Sequence, residues 1–328
     1  MRRIRWRHEP WTSGRAAGPL TVRALVTDAD APGGIVLRDA PDPEPAAHEA
    51  LVAVRATSLN RGEVRGLASA KPGSRPGWDL AGEVVRPAAD GTGPREGTRV
   101  VGVVSRGAWA ELVAVPTTEL AAIPEQLSFD AAATLPVAGL TALWTLRAGE
   151  LVDDRRVLVT GAAGGVGRFA VQLAAHEGAA VTGVVGSPER GEGLEALGAA
   201  ELSVGFPSGR EFDLVLESVG GSSLAAALGS VAPRGVIVSF GNSSGEPTTF
   251  DASAFYRRNG ARLHAFVLFP ELERTKLGTR DLGFLAGLVA TGRLSTEVGA
   301  VASWHAAADV IAALLGRQIR GKAVLRFD

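Results

Sequence analysis

The hydrophobic positions of this chain change period along its length. From Val22 to Val115 they come in short runs alternating with polar residues, as half-buried strands do: Val22–Thr27, Ile35–Arg38, Glu49–Ala56, Leu80–Arg86, Thr98–Val104 and Trp109–Val115. Clusters such as Pro41-Asp-Pro-Glu-Pro45 separate them, which predicts a compact β-rich unit. Ser128–Leu151 then turns helical. Beyond it, apolar runs at Val157–Val159, Ala179–Val185, Phe212–Leu216 and Gly235–Phe240 alternate with helical patterns at Val166–Ala174, Pro188–Leu197 and Ser222–Val231. That alternation predicts a doubly wound parallel sheet. Leu282–Gly292 and Trp304–Arg317 are helical again, and Ala323–Phe327 reads as a strand returning to the first unit.

Between the strand at Val157 and the helix after it lies Thr160-Gly-Ala-Ala-Gly-Gly-Val-Gly167. Strand, tight turn and helix are the context that a dinucleotide fingerprint needs. Gly161 suits the sharp turn. Gly164 and Gly165 have no Cβ to block a pyrophosphate, and Gly167 allows helix and strand to pack closely. The phosphates then meet free N–H groups at the helix N-terminus, a position shared by Ala163 and Val166. An NAD-selective fold places an acid about 20 residues further on, at the end of the second strand. Here that end reads Val184-Val-Gly-Ser-Pro-Glu-Arg190, with no acid at Gly186 or Ser187. Ser187 and Arg190 can donate to a 2′-phosphate, and Ser187 also suits the cap of a helix starting at Pro188. NADPH is therefore the expected cofactor.

Composition narrows the field. A length of 328 residues accommodates two domains, and 46% hydrophobic with 21% charged residues is ordinary for a globular protein. A net charge of −1 argues against nucleic acid as a partner. No apolar run is long enough to span a membrane and no secretory core is present, so a cytoplasmic location is expected. There is no cysteine, and the five histidines fall at no ligand spacing, so no metal site is expected. Residues 1–20 carry Arg2, Arg3, Arg5, Arg7 and Arg15 and read as a flexible extension; a basic arm or a start codon placed too early are the alternatives.

Further segments carry a resemblance: Ser58-Leu-Asn-Arg-Gly62, Pro76-Gly-Trp-Asp-Leu-Ala-Gly82, Gly97-Thr-Arg-Val-Val-Gly102, Gly107-Ala-Trp-Ala-Glu111, Ala132–Ala142, Glu217-Ser-Val-Gly220, Phe240-Gly-Asn-Ser-Ser-Gly245 and Gly321-Lys-Ala-Val-Leu325. In this order, together with the glycine fingerprint, they resemble the zinc-free quinone oxidoreductase branch of the medium-chain dehydrogenase/reductase superfamily. The resemblance implies an α/β protein with a GroES-like β-rich catalytic domain over 21–137 and 267–328. A doubly wound Rossmann NADP-binding domain over 138–266 is inserted into it. It implies NADPH-dependent, metal-independent hydride transfer to a quinone or an α,β-unsaturated carbonyl, by a homodimer joined at the nucleotide-sheet edge near Leu263–Phe269. Around the nicotinamide it points to Asn60, Thr141, Val219, Phe240, Gly241, Asn242, Ser243 and Phe266. Val219 and Phe240 would be apolar walls. Asn242 and Ser243 bond the cofactor or form a turn before Gly245. Asn60 bonds the ribose or the substrate oxygen, or only turns the chain.

The chain also departs from the family pattern. Gly77-Trp78-Asp79 stands where the zinc enzymes have Gly-His-Glu. Glu63 stands where an Asp is usual, flanked by Arg61 and Arg65, and the only tyrosine is Tyr256. The proton that accompanies a hydride must then come from water, from Glu63 or from an arginine-bound water, with an exposed Glu–Arg ion pair as the alternative for Glu63. A dedicated enone or ketone reductase of a biosynthetic pathway and a non-catalytic NADPH-binding protein are the competing functions.

Overall fold

The computed structural model describes residues 21–150 and 154–327, so the N-terminal extension lies outside the described residues. β1 (Thr21–Thr27) and β2 (Ile35–Pro41) form an antiparallel ribbon. β3 (Glu49–Leu59) follows, then α1 (Arg61–Gly66), β4 (Asp79–Arg86), β5 (Arg99–Val103), β6 (Leu112–Pro116) and β7 (Leu120–Ala122). Ala50, Val52, Val54 and Ala56 of β3 point inward in the alternation read from the sequence. The first three enter a core centred on Leu80, Trp109 and Trp304, and Ala56 joins the larger core that runs into the nucleotide unit.

The helical stretch divides into α2 (Phe129–Ala133), a π-turn over Leu135–Gly139 and α3 (Leu140–Ala148). Ser128 caps α2 by accepting the Ala131 N–H at 3.2 Å. Pro136 has no N–H to continue the α-helical ladder, which fits a wide turn at this point.

The nucleotide unit runs β8 (Arg156–Val159), α4 (Gly165–His176), β9 (Ala180–Val185), β10 (Glu201–Val204), β11 (Phe212–Glu217), α5 (Gly221–Ser230), β12 (Val231–Ser239), α6 (Ala252–Tyr256) and β13 (Arg262–Ala265). All six strands are parallel, in the order β10-β9-β8-β11-β12-β13. The order reverses beside β8, and a ligand crevice forms at such a switch point. The side chains of Val157, Leu158 and Val159 are fully buried, as in a sheet covered on both faces. The chain then makes α7 (Leu268–Thr275), α8 (Gly278–Ala290), β14 (Val298–Ser303), α9 (Ala307–Leu315) and β15 (Lys322–Arg326). β15 pairs with β3, completing a seven-stranded sheet ordered β14-β15-β3-β4-β5-β7, with β6 also on β3. The terminal strand thus returns to the first unit as expected.

One expected helix is absent. Pro188–Leu197 forms a single 3-10 turn over Pro188–Gly191 and then successive turns. Gly193 and Gly198, at φ +84° and +105°, break the helical path. β10 and β14 were missed because neither short segment alternates clearly.

Candidate active site

The glycine turn has the shape its residue types require. Gly161 lies at φ +60°. A Cβ on Gly167 would stand 2.5 Å from the Gly161 carbonyl oxygen and 2.6 Å from Ala162 Cα, so only glycine lets α4 start this close to the turn. Gly164 precedes the helix and its N–H bonds the Gly161 carbonyl at 2.9 Å. Ala163 is buried beneath the turn, while Gly164, Gly165 and Val166 are partly open. The cradle for a pyrophosphate is therefore built into the backbone, and the residues present fit a dinucleotide.

The turn touches the last strand. Gly164 bridges to Gly321, and a Cβ on Gly165 would meet the Lys322 stem at 2.7 Å. Lys322 is one of only three lysines and is 2% exposed. Its ammonium donates to the Asn60 Oδ1 at 2.6 Å, the Leu59 carbonyl at 3.1 Å and the Asp79 Oδ2 at 3.3 Å. Asp79 is fully buried. Its Oδ2 also accepts from Ser58 Oγ at 2.5 Å and Asn60 Nδ2 at 2.7 Å, and its Oδ1 accepts the Val137 N–H of the π-turn at 2.9 Å. Glu63 is 6% exposed. Its Oε1 accepts the Asn60 backbone N–H at 2.6 Å and Asn60 Nδ2 at 3.2 Å, while its Oε2 is buried with no partner. Burial and the Asp79 charge push the Glu63 carboxyl up to about 8, against the opposing pull of the Asn60 N–H and Lys322.

One expectation changes here. Glu63 is not half of an exposed Glu–Arg pair: it is buried with Asn60, and neither Arg61 nor Arg65 pairs with a carboxylate. Asn60 gives both amide hydrogens, to Asp79 and Glu63, and its oxygen accepts from Lys322. Both hydrogens are engaged, and Oδ1 keeps a second lone pair that can accept from a ribose hydroxyl. Asn60 holds Glu63 and Asp79 in place.

The other expected residues line the C-terminal edge of the parallel sheet. Thr141 is buried in the first turn of α3, close to Ala138, which faces Gly165. Val219 follows β11, and Phe240 follows β12 with its N–H on the Glu217 carbonyl at 2.9 Å. A Cβ on Gly241 would stand 3.0 Å from the Ser218 carbonyl oxygen, so these two loops press together. Asn242 Oδ1 accepts the Gly245 N–H at 3.1 Å, which is the turn alternative, and the Ser243 N–H bonds the Ser218 carbonyl at 3.1 Å. Phe266 is buried after β13. The Ser187 hydroxyl bonds the Glu189 carboxylate and holds it below its usual range. Arg190 lies on the 3-10 turn beyond β9 and donates to the Arg317 carbonyl at 2.6 Å.

The sequence reading missed Glu217. It is buried and accepts the Val219 and Gly220 N–H groups at 3.0 Å, fixing the β11–α5 turn. It also missed an aromatic wall. The Trp78 ring stands edge to face with Phe269 at 5.3 Å, and a Cβ on Gly62 of α1 would come within 3.1 Å of it. Tyr256 is 77% exposed on α6, away from this wall. Among the described residues no group of three His, Asp or Glu side chains is placed to hold a metal ion, and no helix is long and apolar enough to cross a membrane.

Known proteins with this architecture supply the context. Residues 46–125 match the family described as alcohol dehydrogenase GroES-like domain, and residues 165–275 match zinc-binding dehydrogenase. A quinone oxidoreductase of Pseudomonas aeruginosa is 30% identical over 306 residues, covering 88% of this chain and 94% of that protein. A component of the pikromycin polyketide synthase of Streptomyces venezuelae is 33% identical over 257 residues, covering 72% of this chain and 6% of that protein. A mycobacterial protein solved in complex with NADPH superposes with a TM-score of 0.82 at 25% identity, covering 94% of this chain and all of that one. On its two matched domains and its full-length relatives, the chain belongs to the quinone oxidoreductase branch of the medium-chain dehydrogenase/reductase superfamily.

Proposed function

We propose that this chain is an NADPH-dependent, metal-independent reductase of quinones or α,β-unsaturated carbonyls. The observation that carries the reading is Lys322. Its stem packs on Gly165 of the dinucleotide turn while its ammonium joins Asn60 and Asp79, and Asn60 in turn holds Glu63. The nucleotide cradle and a buried carboxylic acid are thus linked through Lys322 and Asn60. Gly161, Ala163, Gly164, Gly165, Val166 and Gly167 would hold the pyrophosphate, and Ser187 and Arg190 would take the 2′-phosphate, with the Ser187 hydroxyl turning from Glu189 to the phosphate. When bound, the cofactor supplies a hydride.

The chain supplies the proton and the pocket. Glu63 holds a proton on Oε2, which has no partner of its own, because ionising it would leave a second buried anion beside Asp79. It gives that proton to the oxygen that gains charge as the substrate is reduced, and is reprotonated from solvent afterwards. Asn60 and Lys322 position it. Trp78 and Phe269, packed edge to face, offer an apolar corner suited to a conjugated ring or enone. The exposed strand β13, with Leu263 at 48% exposure, and Val267 just beyond it at 61%, support pairing with a second copy into a homodimer.

A dedicated enone reductase of a biosynthetic route is the second reading, favoured by the likeness to a polyketide synthase component. Oxidation of NADPH and NADH against a panel of quinones, enones and enoyl thioesters tests both. Turnover of quinones and simple enones with NADPH supports the first, and turnover confined to thioesters supports the second. No turnover of any member with either nucleotide rejects both, in favour of a binding protein.

A further inference from the structure

The helix that opens on the glycine turn is fastened to the segment entering β14 by a stripe of polar side chains. Arg168, Gln172 and His176 follow one another every four residues along α4, so they share one face. That face meets alternate residues of 293–297. Arg168 Nη1 donates to Glu297 Oε2 at 2.6 Å and its Nη2 to the Glu192 carbonyl at 2.9 Å. Gln172 Nε2 donates to the Ser295 carbonyl at 3.1 Å, and its Oε1 accepts the Ser295 N–H at 2.7 Å. His176 Nε2 donates to the Arg293 carbonyl. Ser295 Oγ completes the row by donating to Glu297 Oε1 at 2.6 Å. At Glu297 the row reaches the candidate site. The Glu297 carbonyl accepts the Lys322 N–H at 3.0 Å, and a Cβ on Gly321 would stand 2.1 Å from that oxygen. The Gly321 N–H bonds the Ala163 carbonyl of the glycine turn at 3.4 Å, and the Lys322 stem lies against Gly165. The contacts close a ring: glycine turn, Lys322, Glu297, Arg168, and back along one turn of α4.

Two members of the ring are costly to keep. Arg168 is buried, and its Nε has no partner. Glu297 sits at φ +47°, a left-handed conformation that glycine adopts more easily. A buried ion pair adds little net stability, and its best-attested use is to fix one register between the parts it joins. We infer that Arg168 and Glu297 are positioning residues, which set the dinucleotide turn on Lys322 and, through Lys322, on the network of Asn60, Asp79 and Glu63. Neither touches nucleotide or substrate in this role. The coupling rests on the contacts alone, and its consequence for turnover rests on the proposed function and deepens it. Hydride donor and proton donor then stand on two units whose register this pair holds.

Amide hydrogen exchange of the full chain without nucleotide tests the coupling, and steady-state kinetics tests its consequence. In Arg168→Gln, peptides covering 161–165 and 320–323 should exchange about tenfold faster than in wild type. Adding Glu297→Gln gives two amides that can bond each other, and exchange should return to within about threefold of wild type. With NADPH, Arg168→Gln should lower kcat about tenfold and keep the NADPH KM within twofold, and the double variant should recover most of the loss. Should Arg168→Gln not fold, Glu297→Asp, one methylene shorter, carries the same comparison. Faster exchange confined to 293–297, or a lower melting temperature with the turn peptides unmoved, would make the pair a local fastening and overturn the inference. Faster exchange at the turn with kcat unchanged would overturn the positioning role. If wild type reduces no quinone, enone or thioester while the exchange result holds, the proposed function falls and the coupling stands.

Discussion

Glu63→Gln separates the proposed acid from a capping residue that merely happens to be buried. Glutamine keeps the carbonyl oxygen that accepts the Asn60 N–H at 2.6 Å and Asn60 Nδ2 at 3.2 Å. It puts an amide where the unpartnered Oε2 stands, so below pH 7 the variant and the protonated wild type differ little in bonding. They differ in what pH does. The Glu63 carboxyl rises from 4.5 to about 8 on folding. Between those values the folded chain holds a proton that the unfolded chain has lost, so stability is fully present below pH 4.5 and falls as pH rises toward 8. Each pH unit is worth about 1.4 kcal/mol, giving about 5 kcal/mol at most across the window. That is a large share of the ~5–15 kcal/mol that holds a domain folded. Urea unfolding from pH 5 to pH 9 reads it directly: wild type should lose several kcal/mol on the alkaline side, and Glu63→Gln should lose far less. Turnover should fall about 10²-fold or more in the variant at pH 7, and wild-type turnover should decline above about pH 8. If the two proteins share one pH–stability curve, Glu63 is ionised in the folded state and cannot be the acid.

Gly167→Ala should cost about 1–3 kcal/mol, because its Cβ would meet backbone atoms at 2.5 and 2.6 Å; unchanged melting and nucleotide affinity would show that the turn can relax. Asp79→Asn removes the like charge that raises Glu63 and leaves Lys322 seeking an anion. The alkaline limb of the pH–rate profile should then move below pH 8 while circular dichroism stays native, and an unmoved limb would detach Glu63 from this network. Light scattering at micromolar concentration should give a dimer mass, and Leu263→Lys on the exposed β13 edge should give a monomer; a monomeric wild type would reject the edge interface.

Local features were the legible ones. The glycine turn, the alternating strands and the missing acid after β9 depend on neighbours within a few residues, and their physics can be read from spacing alone. The Pro188–Leu197 misreading was local as well: the apolar spacing suited a helix, but glycines at 191, 193 and 198 outweighed it. The network was hidden because its members are far apart in the chain, with Lys322 lying 262 residues from Asn60 and 243 from Asp79. One signal for it did exist. A chain with three lysines that keeps one inside a strand, directly after a glycine, has placed a cation in its core, and such a cation needs a buried anion.

Bonding capacity assigns the roles within the network. Lys322 has three N–H groups, and each is directed at an acceptor. One of them completes the buried ion pair with Asp79. Asp79 accepts from Ser58, Asn60, Lys322 and the Val137 N–H, so both of its oxygens are engaged. Asn60 cannot ionise, and its two hydrogens and its oxygen are all engaged. Glu63 alone has an atom, Oε2, whose state can change without breaking another bond. The charges then sum to zero when Glu63 is protonated and to one negative when it is not. Low dielectric favours the neutral sum, which keeps the proton in place until a neighbouring oxygen gains charge. Lys322 connects that balance to the nucleotide turn through its contact with Gly165, so the acid and the dinucleotide cradle form one assembly.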